Sequence, residues 1–294
     1  MLADRVGREQ ARSDEARRDF ESDRITYASP FRSPLKRGLI HAIEKLSGRS
    51  EVLEIFRRSL DCRAGDASVW DAILKTMRVE LLTPAMELAR IPAKGPAIMV
   101  ANHPQGIMDG FALGAVISRR RPDFRILTRA HFCVVPHLDP FLLPVPFPHE
   151  PDFIAKNLES RRATLSHLKQ GGCIGVFPAG TVAASETLFG STVEPEWGPF
   201  TARLAARTSA TIVPMFLPRE ASRAFHIAHQ LSMTMRQCLF LHEIAYAIGK
   251  PQDPIIGEAL RAEDFRDMGG DADARMAALR LRTLNLADSR PTVI

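Results

Sequence analysis

The sequence predicts an α/β fold: a mostly parallel or mixed sheet covered by helices, behind an N-terminal helical segment. Three observations carry this. From about residue 85 short apolar runs of strand length alternate with longer segments whose apolar residues recur at helical spacing. The runs PAIMVA, CIGVF and ATIVPMFL are almost continuously hydrophobic, as strands covered on both faces are. Glycine and proline punctuate the alternation, most clearly at Gly171–Gly172. The 294 residues suit one large α/β domain or two small ones.

In chain order, residues 1–30 read as a charged, partly helical extension; thirteen charged side chains of both signs fall within residues 1–24. Residues 31–80 read as a basic, amphipathic helical segment. Leu35, Leu39, Ile43 and Leu46 share one helix face, a second helix covers Glu51 to Leu60, and a third runs from about Ser68 to Arg78. Such a segment either lies on an anionic membrane surface or caps the main domain, since both bury the same apolar stripe.

Residues 81–294 form the α/β domain. MELARI reads as a short strand, PAIMVA as a buried one ending at Asn102, and Met108 to Arg119 as a helix. FRILTR is the next strand. A proline-rich stretch then excludes a helix, and its apolar residues suit either an acyl-chain tunnel or a crossover packed on the sheet. A long helix covers Asp152 to Lys169, followed by strand CIGVF, helix PFTARLAAR and strand ATIVPMFL. HEIAYAIGKP reads as a late strand, with C-terminal helices through Leu286.

Composition narrows the function classes. Hydrophobic residues at 45% and charged ones at 25% exclude disordered and low-complexity chains. No apolar stretch reaches the 18 or more residues of a transmembrane helix, and the charged N-terminus shows no secretory h-region. The four scattered cysteines have no paired spacing, which suits reduced thiols and argues against zinc. His131, His137 and His149 lack a carboxylate or thiol at ligand spacing, so no metal site is expected. The net charge of +5 is compatible with an anionic partner, but an aromatic content of 7% does not favour nucleic acid.

In such sheets the active site lies beyond the carboxyl ends of the strands. There the sequence places Asn102–His103–Pro104–Gln105–Gly106, then Pro178–Ala179–Gly180–Thr181, then Pro214. The segment NHPQGIMDG is the sharpest signal. A histidine after a buried strand can act as a general base, and Asp109, in the first turn of the next helix, leans back toward it. A carboxylate on one ring nitrogen fixes the tautomer and leaves the other nitrogen to accept a proton. A local hydrogen-bonded pair without catalysis fits the same residues.

NHPQGIMDG, VFPAGTVA and TIVPMF, in this order, resemble the PlsC-type glycerolipid acyltransferases, and within them the hemolysin-like and lyso-ornithine-lipid branch. The family pairs a His with an Asp, then carries Phe-Pro-Glu-Gly-Thr and a Val-Pro segment. Two departures stand out. Five residues separate His103 from Asp109 where the family usually has four, and Ala179 stands where it usually has Glu, which weighs against glycerol-3-phosphate-type acceptors.

The resemblance implies that His103 takes a proton from an acceptor hydroxyl while Asp109 orients and charges it. Asn102, Gly106, Pro178, Gly180 and Thr181 then fall in the substrate-binding motifs, with amides near Gly106 or Gly180 stabilising an oxyanion. Arg129, at the end of FRILTR, stands where family members often carry a basic acceptor-binding residue. Glu186 is a candidate replacement for the missing glutamate. The cluster Arg119, Arg120, Arg121 and Arg125 reads as a solvated helix end, and Trp197 and Phe200 read as core.

The expected activity is O-acyl transfer from acyl-CoA or acyl carrier protein to a lysolipid, with no other cofactor and no metal. The expected location is cytoplasmic and peripheral, on the inner face of a membrane. A non-catalytic lipid-binding or scaffold protein on the same fold, or a lipid or thioester hydrolase, is the alternative.

Overall fold

The computed structural model describes residue 26 and residues 33–61, 68–129, 138–146 and 152–289. Helices α1 (Pro34–Leu46), α2 (Arg49–Asp61) and α3 (Val69–Thr76) precede a one-turn helix, α4 (Ala85–Leu88). Strand β1 (Ala97–Ala101) leads through α5 (Ile107–Ser118) into β2 (Phe124–Arg129). Then come β3 (Leu142–Val145), α6 (Phe153–Lys169) and β4 (Cys173–Val176). A small hairpin, β5 (Ala184–Ser185) with β6 (Thr192–Val193), precedes α7 (Phe200–Thr208) and β7 (Thr211–Phe216). Helices α8 (Arg223–Leu231), α9 (Met233–Cys238) and α10 (Phe240–Ala247) follow, then β8 (Ile255–Ile256), α11 (Ala262–Asp267) and α12 (Ala272–Leu284).

The main sheet has the order β3-β2-β4-β1-β7-β8; all neighbours are parallel except β7 and β8, which are antiparallel. The mostly parallel α/β class expected from the sequence is the observed one. Strand β1 shows why the sequence reads this way, since all five of its residues are buried. Ala97, Met99 and Ala101 face one core, with residues of α2, α3, α5 and α10. Ile98 and Val100 face a second core beneath α7 and α12. The period-2 alternation of a strand thus feeds two apolar layers, and no position is left for a polar residue until the strand ends.

The N-terminal helical segment is part of this body. Val52, Ile55 and Phe56 of α2 and Trp70 and Ile73 of α3 share the core that β1 enters. The tightest approach is at Gly114 of α5, where a Cβ would stand 2.4 to 2.7 Å from the ring of Trp70. Trp70 is itself buried against Phe124 and Phe141 and has nowhere to go. Gly114→Leu is therefore expected to cost about 1–3 kcal/mol or more of stability. It would be read as a lower denaturant midpoint at unchanged m-value.

Several sequence expectations need correction. MELARI is helix α4 and its following turn, because Pro84 presets φ at −62° and Ala, Met, Glu and Leu are all good helix formers. HEIAYAIGKP contributes to helix α10; Leu241, Ile244 and Ala247 are buried at helical spacing, and Gly249, at φ 72°, ends it. The late strand is instead β8. Part of the proline-rich stretch is strand β3, an edge strand where Pro144 is tolerated. Arg121 is not solvated. It is 1% exposed, pairs bidentately with Asp123, and donates to the carbonyls of Pro92, Gly95 and Gly171 just ahead of β1 and β4. The helical reading of residues 1–24, and His131, His137 and His149, lie outside the described residues. Among the described residues no helix is long and apolar enough to cross a membrane.

Candidate active site

Strands β1, β2, β4 and β7 deliver their following residues to one end of the sheet, so the motifs converge there. Asn102 closes β1: its side-chain amide donates to the carbonyl of Leu217 at 2.9 Å and its oxygen accepts the Leu217 N–H at 2.7 Å. Both functions are spent and the residue is buried. Asn102, expected to touch substrate, instead locks the end of β1 to the end of β7.

His103 is held on all sides but one. Its backbone carbonyl accepts the Ala183 N–H at 2.8 Å, and its own N–H donates to Glu194 Oε2 at 3.0 Å. Its ring stacks on Phe177, with centroids 4.0 Å apart and planes 16° from parallel. Nδ1 lies 2.9 Å from Asp109 Oδ2, and that same oxygen accepts the Gln105 N–H at 2.7 Å. An oxygen already accepting from an amide acts as acceptor toward the ring as well, which puts the proton on Nδ1. Nε2, with its lone pair, has no partner among the described residues.

The five-residue spacing is accommodated at Gly106. Its φ of 70° and ψ of −122° turn the chain into the first turn of α5, which delivers Asp109 to the ring. Asp109 is 1% exposed. Burial raises its pKa, while His103 and the amides of Gln105 and Gly106 pull in the opposite direction.

The site opens into a cavity of about 480 Å³ lined by His103, Gly106, Pro178, Gly180 and Thr181. One wall is apolar, built by Phe56, Trp70, Phe111, Leu142, Leu241 and Ile244. Helices α2, α3, α5 and α10 and strand β3 thus shape it jointly, and the volume is that of an ordinary small-molecule site. Arg129 also lines it, donating to the carbonyls of Pro146 at 3.2 Å and Gly180 at 3.3 Å. The Gly180 N–H, an expected oxyanion donor, is engaged by Phe177 O at 3.0 Å.

Two residues at the site escaped the sequence reading. Glu194, at the end of hairpin β5–β6, is buried and bridges the His103 N–H to the indole N–H of Trp197, which its Oε1 accepts at 2.8 Å. Burial raises its pKa, and those two donors offset part of the rise. Glu194 brings a buried carboxylate to the His103 backbone, whereas Glu186 is exposed. The second is Arg236 of α9, which lines the cavity and donates to Thr181 Oγ1 at 3.2 Å and Val182 O at 2.7 Å. Trp197, expected in the core, is there.

An oriented histidine–aspartate pair at the carboxyl end of a parallel sheet, opening into a largely apolar cavity, has the geometry to activate a hydroxyl. Residues 86–217 match the family model Acyltransferase. No curated protein sequence matches the chain. Among solved structures, the crystal structure of the 1-acyl-sn-glycerophosphate (LPA) acyltransferase PlsC from Thermotoga maritima is similar at 12% identity and a TM-score of 0.46. That likeness covers 87% of this chain and 97% of that one.

Proposed function

We propose that the protein moves a fatty acyl group from acyl-CoA or acyl carrier protein to the hydroxyl of a lysolipid, a lysophospholipid or a lyso-aminolipid, at a membrane surface. The observation that carries this is His103, with Nδ1 tied to buried Asp109 and Nε2 facing an apolar-walled cavity. Nε2 takes the proton of the acceptor hydroxyl as the oxygen attacks the thioester carbon. The tetrahedral oxyanion then collapses, the C–S bond breaks, and the imidazolium returns the proton to the departing thiolate. Asp109 holds the ring and stabilises the imidazolium between the two steps. The amide of Ile107, a residue that lines the cavity at the start of α5, is a first-turn donor for the oxyanion. Phe56, Trp70 and Phe111 line the wall on which an acyl chain fits.

The peripheral membrane reading is supported by apolar side chains turned outward. Leu35, Leu39 and Leu46 of α1 are 84%, 62% and 89% exposed. Helix α1 packs against α9, where Met233 and Met235 are exposed too, and Met233 also lines the cavity. An acceptor lipid would enter beside that rim, from the inner face of the membrane.

The test is transfer of labelled acyl groups from both donors to a panel of lysolipids, with wild-type protein and with His103→Ala. Transfer that disappears in the folded variant is the expected result. Folded wild-type protein that transfers nothing from either donor, yet binds lipid, would replace the enzyme with a lipid-binding protein. Release of free fatty acid without any lysolipid would make it a hydrolase.

A further inference from the structure

Among the described residues two arginines are almost completely buried, and they are buried differently. Arg121 is 1% exposed and has its own carboxylate, both oxygens of Asp123 lying within 2.9 Å of its guanidinium. Arg236 is 4% exposed and makes no ion pair among the described residues. Its three hydrogen bonds all go to neutral acceptors: Thr181 Oγ1, Val182 O, and His229 Nδ1 at 3.0 Å. Its remaining contact is the face of the Phe225 ring, 5.2 Å from the guanidinium carbon.

A guanidinium taken out of water without a counter-charge is expensive to hold. The surrounding atoms do not supply that charge. The oxygens of Glu194 are engaged by His103 and Trp197, and no carboxylate among the described residues hydrogen-bonds the guanidinium. Three of the five N–H groups are used, and two have no acceptor among the described residues. The side chain lines the cavity that holds His103 and donates to the Thr181 hydroxyl and the Val182 carbonyl.

The geometry points to Arg236 as the anion-binding residue of the acceptor pocket, taking a phosphate or carboxylate on the headgroup of the lysolipid in a charge-assisted, forked hydrogen bond. This rests on the transferase reading and narrows its substrate to acceptors with a negative charge near the reacting hydroxyl. Planar, two-pronged recognition of an oxyanion is what a guanidinium does best. The residue lies outside the segment that matches the family model. It therefore supplies an acceptor contact from the helices that follow the family domain.

The experiment compares three acceptors with one acyl chain and different headgroups: a phosphate monoester, a free carboxylate and neutral monoacylglycerol. Wild type, Arg236→Gln and Arg236→Lys are assayed, with folding checked by circular dichroism. Gln keeps a donor for Val182 O but loses the charge. It is expected to raise KM for both anionic acceptors about tenfold or more, and to leave KM for the neutral acceptor and for acyl-CoA within about twofold. Lys should restore part of the difference. Equal losses on all three acceptors would reduce Arg236 to a clamp on the 181–182 loop, and a change confined to KM for acyl-CoA would assign it to the donor's phosphates. Either result overturns the proposal.

Equilibrium binding of a fluorescent phosphate-headed lysolipid and its neutral counterpart is measured alongside in His103→Ala, with and without Arg236→Gln. A preference for the anionic lipid that Arg236→Gln abolishes supports the site even if wild type transfers nothing, which separates its fate from that of the transferase reading. No preference in either protein overturns it.

Discussion

Replacing Asp109 by Asn is expected to cut acyl transfer about a hundred- to ten-thousandfold, close to the effect of removing His103, while leaving the fold intact and at least as stable at pH 7. The amide oxygen of Asn can stand where Oδ2 stands, accepting from Gln105 N–H and His103 Nδ1–H as the carboxylate does. Ring placement and tautomer then survive. What is lost is the negative charge that stabilises the imidazolium once Nε2 has taken its proton.

The stability side follows from burial, which raises the pKa of Asp109. The folded state therefore holds that proton more tightly than the unfolded chain does. The resulting stabilisation is full below the ordinary carboxylate value near about 4 and is lost as pH rises through the raised folded value. At pH 7 the wild-type protein carries the ionised group at a cost, and Asp109→Asn does not. Melting curves should show the variant level with or above wild type at pH 7, with its advantage shrinking as pH falls toward 4. A variant that lost Tm and activity together at pH 7 would make the pair a structural one.

Legibility followed the range of the interactions involved. PAIMVA, CIGVF and ATIVPMFL were readable because continuous burial on both faces leaves a signature in the strand's own residues. HEIAYAIGKP misled because Ile244 and Tyr246 favour strands locally, while the helix is set by the core that Leu241, Ile244 and Ala247 enter. MELARI misled for the same reason on a smaller scale, its alternation being too short to separate a strand from one helical turn.

The site divides in the same way. His103 and Asp109 lie within one strand–turn–helix unit, so chain direction and side-chain lean were enough to pair them. The positive φ of Gly106 is the turn that absorbs the extra residue between the two. Glu194 was not legible, since it lies 91 positions beyond the His103 amide it accepts, and STVEPEW carries no periodicity that marks it. Arg236 is one of 39 basic residues, and only the packing of α9 over the 181–182 loop sets it apart.

Glu194 is where the largest loss outside the pair itself is expected. Its two oxygens accept one N–H each, from the His103 backbone and from the Trp197 indole, and neither donor has another place to go. Arg280 fixes the same segment by donating to the carbonyls of Glu194 and Pro195. Gln is nearly the same size but offers one acceptor and one NH2, so in either orientation a buried donor meets a donor. Glu194→Gln should therefore lower stability by about 1–3 kcal/mol, read as a reduced denaturant midpoint at unchanged m-value. It should also lower kcat about tenfold through displacement of the His103 backbone, with the KM for acyl donor little changed. Glu186→Gln, on the exposed side of the same hairpin, serves as the matched control and should alter neither quantity. Should Glu194→Gln behave like that control, His103 would be held by Asp109, Ala183 and Phe177 without it, and the buried Glu194 carboxylate would have no part in placing the base.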